Sequence, residues 1–160
     1  MKITHAPVLF VENDPTDVML VRRAFERAQL DIRMVAVSDG AEAIAYLRGD
    51  GRYARRADHP LPVMLLVDLK MPPPAGIELI RWARAQPEIK LLPIVVLSSS
   101  RDFADVNRAY DAGASSYLVK PVAFDALQKM LTTFGHYWLN FNTPPRLAGE
   151  GEGRSRHATT

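Results

Sequence analysis

Short runs of apolar residues alternate along this chain with segments whose apolar positions recur every three or four residues. Val63 to Val67 is an unbroken apolar run, the pattern of a strand buried on both faces of a parallel sheet. Ala6 to Val11, Asp31 to Val37, Ile94 to Leu97 and Ser116 to Val119 give four more predicted strands. Between them, Val18, Leu20, Val21, Phe25 and Ala28 recur at helical spacing, and Ile77, Ile80 and Ala83 mark the turns of a helix over 76–85. Ala41 to Leu47, Asp102 to Asp111 and Val122 to about Asn140 complete five predicted helices.

The punctuation agrees with this division. Asp14 before Pro15 is a helix start, with a carboxylate to accept from an orphan amide and a proline suited to the first helical position. Gly113 stops the fourth helix, and Pro72, Pro73, Pro74 and Gly76 make the loop after the third strand stiff and non-helical. Five strands alternating with five helices predict an α/β fold with a doubly wound parallel sheet. Right-handed crossovers in the order 2-1-3-4-5 would bring the ends of strands 1 and 3 to one rim.

Composition narrows the setting. Apolar residues are 48% and charged residues 24% of 160 positions, as in a soluble globular domain. The net charge of +2 is too small to argue for nucleic acid, and no DNA-binding motif accompanies Arg48, Arg52, Arg55 and Arg56, which read as a solvated loop face. The absence of cysteine excludes disulfides, thiolate catalysis and Cys-ligated zinc. No apolar run approaches the ~20 residues needed to span a bilayer, and the start of the chain lacks a signal-peptide pattern, so a cytoplasmic location is expected. One domain is expected over 1–143. From Pro144 to Thr160 there is almost nothing to bury, which predicts a flexible tail.

The predicted strands do not end alike. Strand 1 runs into Glu12, Asn13 and Asp14, strand 3 into Asp68, strand 4 into Ser98, and strand 5 into Lys120. Each has a bland explanation alone: a loop cap, a helix cap, a surface charge. Together at the carboxyl ends of strands, where open α/β sheets place their chemistry, they suggest one crevice. Acids with a backbone carbonyl suit Mg²⁺. A carboxylate beside it can attack phosphorus, with Lys120 and Ser98 facing phosphoryl oxygens.

The segments ValGluAsnAspPro, ValAspLeuLysMetPro, IleValValLeuSerSerSer and GlyAlaSerSerTyrLeuValLysPro resemble the four signatures of response-regulator receiver domains, whose fold is flavodoxin-like. The resemblance runs from about His5 to Asn142. Tyr46 to Ala54, LeuSerSerSer at the end of strand 4 and the HisTyrTrpLeuAsnPheAsnThrProPro close are similar to single-domain regulators that accompany bacterial phytochrome histidine kinases. The resemblance implies that Asp68 is the phosphoacceptor and Lys120 the phosphate-pairing lysine. It implies Ser98 as the switch hydroxyl, Tyr117 as the aromatic that follows it, and Glu12 and the Lys70 carbonyl as metal ligands.

The departure is Asn13, where the family pattern usually has Asp. Two readings follow. Asp14 takes over the missing charge and a working receiver with weaker metal binding results, or Asp14 is used up as the helix cap and the domain phosphorylates poorly.

Phe134, Tyr137, Trp138 and Phe141 fall at i, i+3, i+4 and i+7, an aromatic stripe on a helix longer than the sheet needs. It predicts a homodimer through the end of the last helix. The leading function is a stand-alone phosphorylation switch served by a histidine kinase, possessing self-phosphotransfer and slow hydrolysis but no turnover chemistry. The alternative is a pseudo-receiver, a binding module that never uses Asp68. An aspartyl phosphatase wants an acid where Lys70 stands, and a flavin-binding reading lacks a phosphate-cradling loop after strand 1.

Overall fold

The computed structural model describes residues 6–148. Strands β1 (Val8–Val11), β2 (Met34–Val37), β3 (Met64–Val67), β4 (Ile94–Ser98) and β5 (Ser116–Val119) alternate with helices α1 (Pro15–Arg27), α2 (Gly40–Arg48), α3 (Gly76–Ala85), α4 (Phe103–Ala112) and α5 (Phe124–Gly135). All strand pairs are parallel, in the order β2-β1-β3-β4-β5. The register sets Val11 beside Val37 and Val67, so the chain leaves β1 and β3 at the same rim.

Alternate residues of each strand point to opposite faces, and the core divides accordingly. Val8, Phe10, Met64, Leu66, Val95 and Leu97 pack with Val21 and Phe25 of α1 and with Leu127, Leu131 and Phe134 of α5. Leu9, Val11, Leu65, Val67, Ile94 and Val96 pack with apolar residues of α2, α3 and α4. Helices on both faces explain why Met64–Val67 has no polar alternation. Arg84 of α3 pins the far side by donating to Gly113 O (2.8 Å) and Leu92 O (2.6 Å).

The structure departs from expectation in three places. The loop after α2 is built rather than merely solvated: Tyr46 and Tyr53 are buried, their rings tilted against each other with centroids 5.0 Å apart. Arg56 there donates to Tyr46 O (2.7 Å) and Leu47 O (2.6 Å), two carbonyls of the last turn of α2, where the regular helix ladder runs out. Arg52 bonds Tyr53 Oη at 2.6 Å and also Glu42; Arg48 and Arg55 are exposed.

The last helix does not run unbroken to Asn140. After Gly135 it widens into a π-helix over His136–Phe141. Gly135 lies where any Cβ would come 2.3 Å from Leu30 Cδ1, so the chain changes its winding at a point of close approach to the α1–β2 connection. Phe134 stays in the core, 6.1 Å from the Phe25 ring, whereas Tyr137 and Phe141 are 52% and 77% exposed. Trp138 is half-buried and meets Tyr137 edge-on. The expected stripe is therefore divided between the core and the surface.

Finally, the segment after Pro144 does have something to bury. Leu147 belongs to the apolar cluster that holds Ile89 and Leu92. The rest of the expected tail, residues 149–160, lies outside the described residues. Among the described residues no helix is long and apolar enough to cross a membrane.

Candidate functional site

The residues that leave β1 set one side of the rim. Glu12 is 2% exposed. Its Oε1 accepts from the Asp14 amide at 3.1 Å, which turns the chain toward α1. Asp14 is the N-cap of α1, and its Oδ1 accepts from Thr16 N at 2.8 Å. Asn13 is exposed between them. With Asp14 capping, the next acid of the helix, Asp17, reaches the crevice. Oxygens of Glu12, Asp17 and Asp68 all lie within 4.8 Å of one another. The sequence reading placed Asp14 in this set and passed over Asp17. The available signal was the helix start itself, since a residue three places beyond an N-cap faces the same end of the helix.

Asp68 follows β3 directly and is buried. Its Oδ1 accepts from Lys70 N at 3.1 Å. A Cβ on Gly76 would lie 2.5 Å from the Asp68 carbonyl oxygen and 2.8 Å from Leu69 Cα. The start of α3 can close against the Asp68 loop only because residue 76 has no side chain.

Lys120 enters from the end of β5, held by its amide donating to Ser98 O at 2.8 Å. Its Nζ bonds Asp17 Oδ2 at 2.8 Å, Glu12 Oε2 at 3.1 Å and Asp68 Oδ2 at 3.4 Å. Burial alone would lower the Lys120 pKa, but the bond to Asp17 and the charges of Asp68 and Glu12 outweigh it and hold the ammonium above its ordinary value. Glu12 moves the other way: burial first, then the adjoining Asp68 carboxylate, raise it from 4.5 to about 7, against the pull of Lys120 and the Asp14 amide. One ammonium among three carboxylates leaves negative charge unbalanced. That excess, on carboxylate oxygens alone, fits a hard divalent cation.

Ser98 is fully buried at the end of β4, and its Oγ accepts from Ser100 N at 3.2 Å. Tyr117 of β5 donates its hydroxyl to Ser100 O at 2.9 Å. Both expected switch residues therefore converge on Ser100, in the loop beside the Asp68 rim. The structure thus gathers Glu12, Asp68 and Lys120 directly, sets Ser98 one strand away at the end of β4, and has Tyr117 reach the loop after β4 from within β5, two strands from Asp68.

The profile of the response regulator receiver domain matches residues 8–132. The chain belongs to that family. Its fold, a doubly wound sheet of order 2-1-3-4-5 under five helices, is the receiver fold. Among relatives of this receiver domain, the probable methanogenesis regulatory protein FilR2 of Methanothrix harundinacea is 36% identical over 141 residues, covering 86% of each chain. Response regulator Rcp1 of Synechocystis is 30% identical over 138 residues, covering 86% of this chain and 92% of Rcp1. The solved Mn²⁺-bound form of Rcp1 superposes with a TM-score of 0.78 over 88% of this chain and 99% of Rcp1. The phosphorylated cyanobacterial phytochrome response regulator RcpA superposes with a TM-score of 0.82 at 31% identity, over 89% of this chain and all of RcpA.

Proposed function

We propose that this receiver domain is a magnesium-dependent phosphorylation switch in a two-component system, with Asp68 as its phosphoacceptor and a phytochrome-type histidine kinase as its donor. The observation that carries the proposal is the buried Asp68 carboxylate at a strand end, faced by Lys120 and by two further acids. The likeness to Rcp1 and to the phytochrome regulator RcpA supports the choice of donor.

In the reaction, an Asp68 carboxylate oxygen attacks the phosphorus of a phosphohistidine. An O–P bond forms, the P–N bond breaks, and the imidazole leaves with the electron pair. Lys120 offsets the charge on the phosphoryl oxygens, and the Lys70 amide fixes the carboxylate that it already holds at 3.1 Å. Ser98, whose Oγ accepts from Ser100 N, would donate its own O–H to the phosphoryl group and so couple it to the loop that Tyr117 also grips. Glu12, Asp17, Asp68 and the Lys70 carbonyl would hold Mg²⁺, with Asn13 contributing an uncharged oxygen. Bound there, the cation neutralises charge that develops on the transferring group. Asp14 serves as the α1 cap in this account, and the working-receiver reading of Asn13 is retained through Asp17.

Output passes by protein contact rather than turnover, in the cytoplasm. Tyr137 and Phe141, with the half-buried Trp138, are the surface we assign to a homodimer. Phe134 is excluded from it by its place in the core. The test is phosphotransfer from a purified, autophosphorylated bacteriophytochrome kinase, assayed under red and far-red light. Transfer to the natural protein and none to Asp68→Asn is expected. Equal labelling of both proteins would refute the site, and labelling only by kinases without a phytochrome sensor would refute the donor.

A further inference from the structure

The loop between β3 and α3 carries both backbone groups that Lys70 lends to the site: the amide on Asp68 Oδ1 at 3.1 Å and the carbonyl assigned to Mg²⁺. Gly76 closes this loop from the α3 side. A second residue without a side chain closes it from α2. Gly40 is buried at the start of that helix, and a Cβ there would overlap the Pro74 carbonyl oxygen and lie 3.0 Å from Pro74 Cγ. Any side chain at position 40 would force helix and loop apart by about 1 Å, a displacement that can cost a catalytic group up to ~100-fold in rate.

The two sides of this contact are not equally free to move. The first turn of α2 is capped by Asp39, which accepts from Glu42 N at 2.7 Å. Ala43, Tyr46 and Leu47 are buried, and Arg56 holds the last turn. The loop has less to fix it. Pro72, Pro73 and Pro74 offer no N–H, and the first two are exposed. The loop is the side that yields. Because proline also locks φ at each of these positions, the run passes a displacement along instead of absorbing it. Directly before the run, Met71 N donates to Leu69 O at 3.2 Å, a three-residue turn with Lys70 at its centre. Moving Met71 therefore turns the Lys70 amide and carbonyl.

We propose that Gly40 is a positioning residue for phosphoryl transfer. Its bare Cα lets α2 seat Pro74, and through the proline run this contact keeps Lys70 aligned with Asp68. The proposal rests on Asp68 being the phosphoacceptor.

The test compares Gly40→Ala with Asp39→Ala, which removes the cap at the same end of α2 but adds no atom beside Pro74. In the metal-free protein, the Lys70 amide resonance is expected to move in Gly40→Ala and to hold its place in Asp39→Ala. Gly40→Ala should bind Mg²⁺ about ten-fold more weakly, the usual cost of losing an outer support of a metal ligand. It should also accept a phosphoryl group from acetyl phosphate about ten-fold more slowly at Mg²⁺ concentrations that saturate each variant. Pro74→Gly breaks the rigid run from the other side and decides the matter if Gly40→Ala does not fold; it should move the Lys70 resonance and weaken Mg²⁺ binding in the same direction. Natural values in Pro74→Gly, or equal changes in Asp39→Ala and Gly40→Ala, overturn the positioning role and leave Asp68 as phosphoacceptor. A natural protein that takes no phosphoryl group from acetyl phosphate removes the Asp68 reading, and this proposal with it.

Discussion

Replacing Glu12 by Gln should stabilise the metal-free protein, and only at neutral and alkaline pH. Glu12 is buried against Asp68 and its pKa lies at about 7 in the folded protein, against an ordinary 4.5. Between those values the folded state keeps a proton that the unfolded chain has lost, so the natural protein loses stability as pH rises. Above about 7 the loss is complete and stays constant. The gap between 4.5 and about 7, at ~1.4 kcal/mol per pH unit, amounts to ~3 kcal/mol. Gln carries no charge at any pH and keeps an oxygen for the Asp14 amide that Glu12 accepts at 3.1 Å. Urea unfolding of both proteins in chelator, from about pH 5 to about pH 8, reads the difference directly. The advantage of Glu12→Gln should be small at the acid end and approach 3 kcal/mol at the alkaline end, an order-of-magnitude figure. Added Mg²⁺ should stabilise the natural protein more than the variant, because it balances the charge that Gln lacks. A stability difference independent of pH, or a natural protein that becomes the more stable one at alkaline pH, would refute the reasoning. An acid that destabilises the empty fold and serves a ligand is the usual compromise at functional sites.

Leu147→Ala should cost ~2–4 kcal/mol in urea unfolding, as for other buried leucines; a negligible loss would mean that the chain after Pro144 contributes nothing to the core. Gly76→Ala forces a methyl to within 2.5 Å of the Asp68 carbonyl and should destabilise by ~1–3 kcal/mol while slowing modification of Asp68; normal stability and labelling would show that the loop gives way freely. The double variant Tyr137→Ser/Phe141→Ser should be monomeric by sedimentation where the natural protein is dimeric, and a natural protein that stays monomeric at high concentration rules out that interface.

The sheet was legible because its strands are buried on both faces. Runs such as Met64–Val67 need no partner in the sequence to announce themselves, and the punctuation at Asp14-Pro15 and Gly113 marks two of the helices that cover them. Glu12, Asp68 and Lys120 were legible as well, since each follows a strand end and the topology sends those ends to one rim. Asp17 was missed because it reaches the crevice from within a helix, where only its place three residues after the cap, Asp14, points to it. Leu147 escaped for the opposite reason: one apolar residue in a polar segment has no periodicity, and its burial depends on a neighbour as distant as Ile89. The aromatic stripe was misjudged where the winding changes at Gly135. Helical spacing holds for Phe134 and fails beyond it, so residues expected on one face part company. Arg56 looked like one more loop charge, although it caps α2 through two carbonyls.

The central claim is that Asp68 takes a phosphoryl group. Incubating the protein with acetyl phosphate and Mg²⁺, then measuring intact mass and mapping the modified peptide after borohydride reduction, tests it without any kinase. The account predicts a gain of one phosphoryl group, located at Asp68, lost in Asp68→Asn and suppressed by chelator. A natural protein that keeps its unmodified mass, or carries the group on another residue, would contradict it.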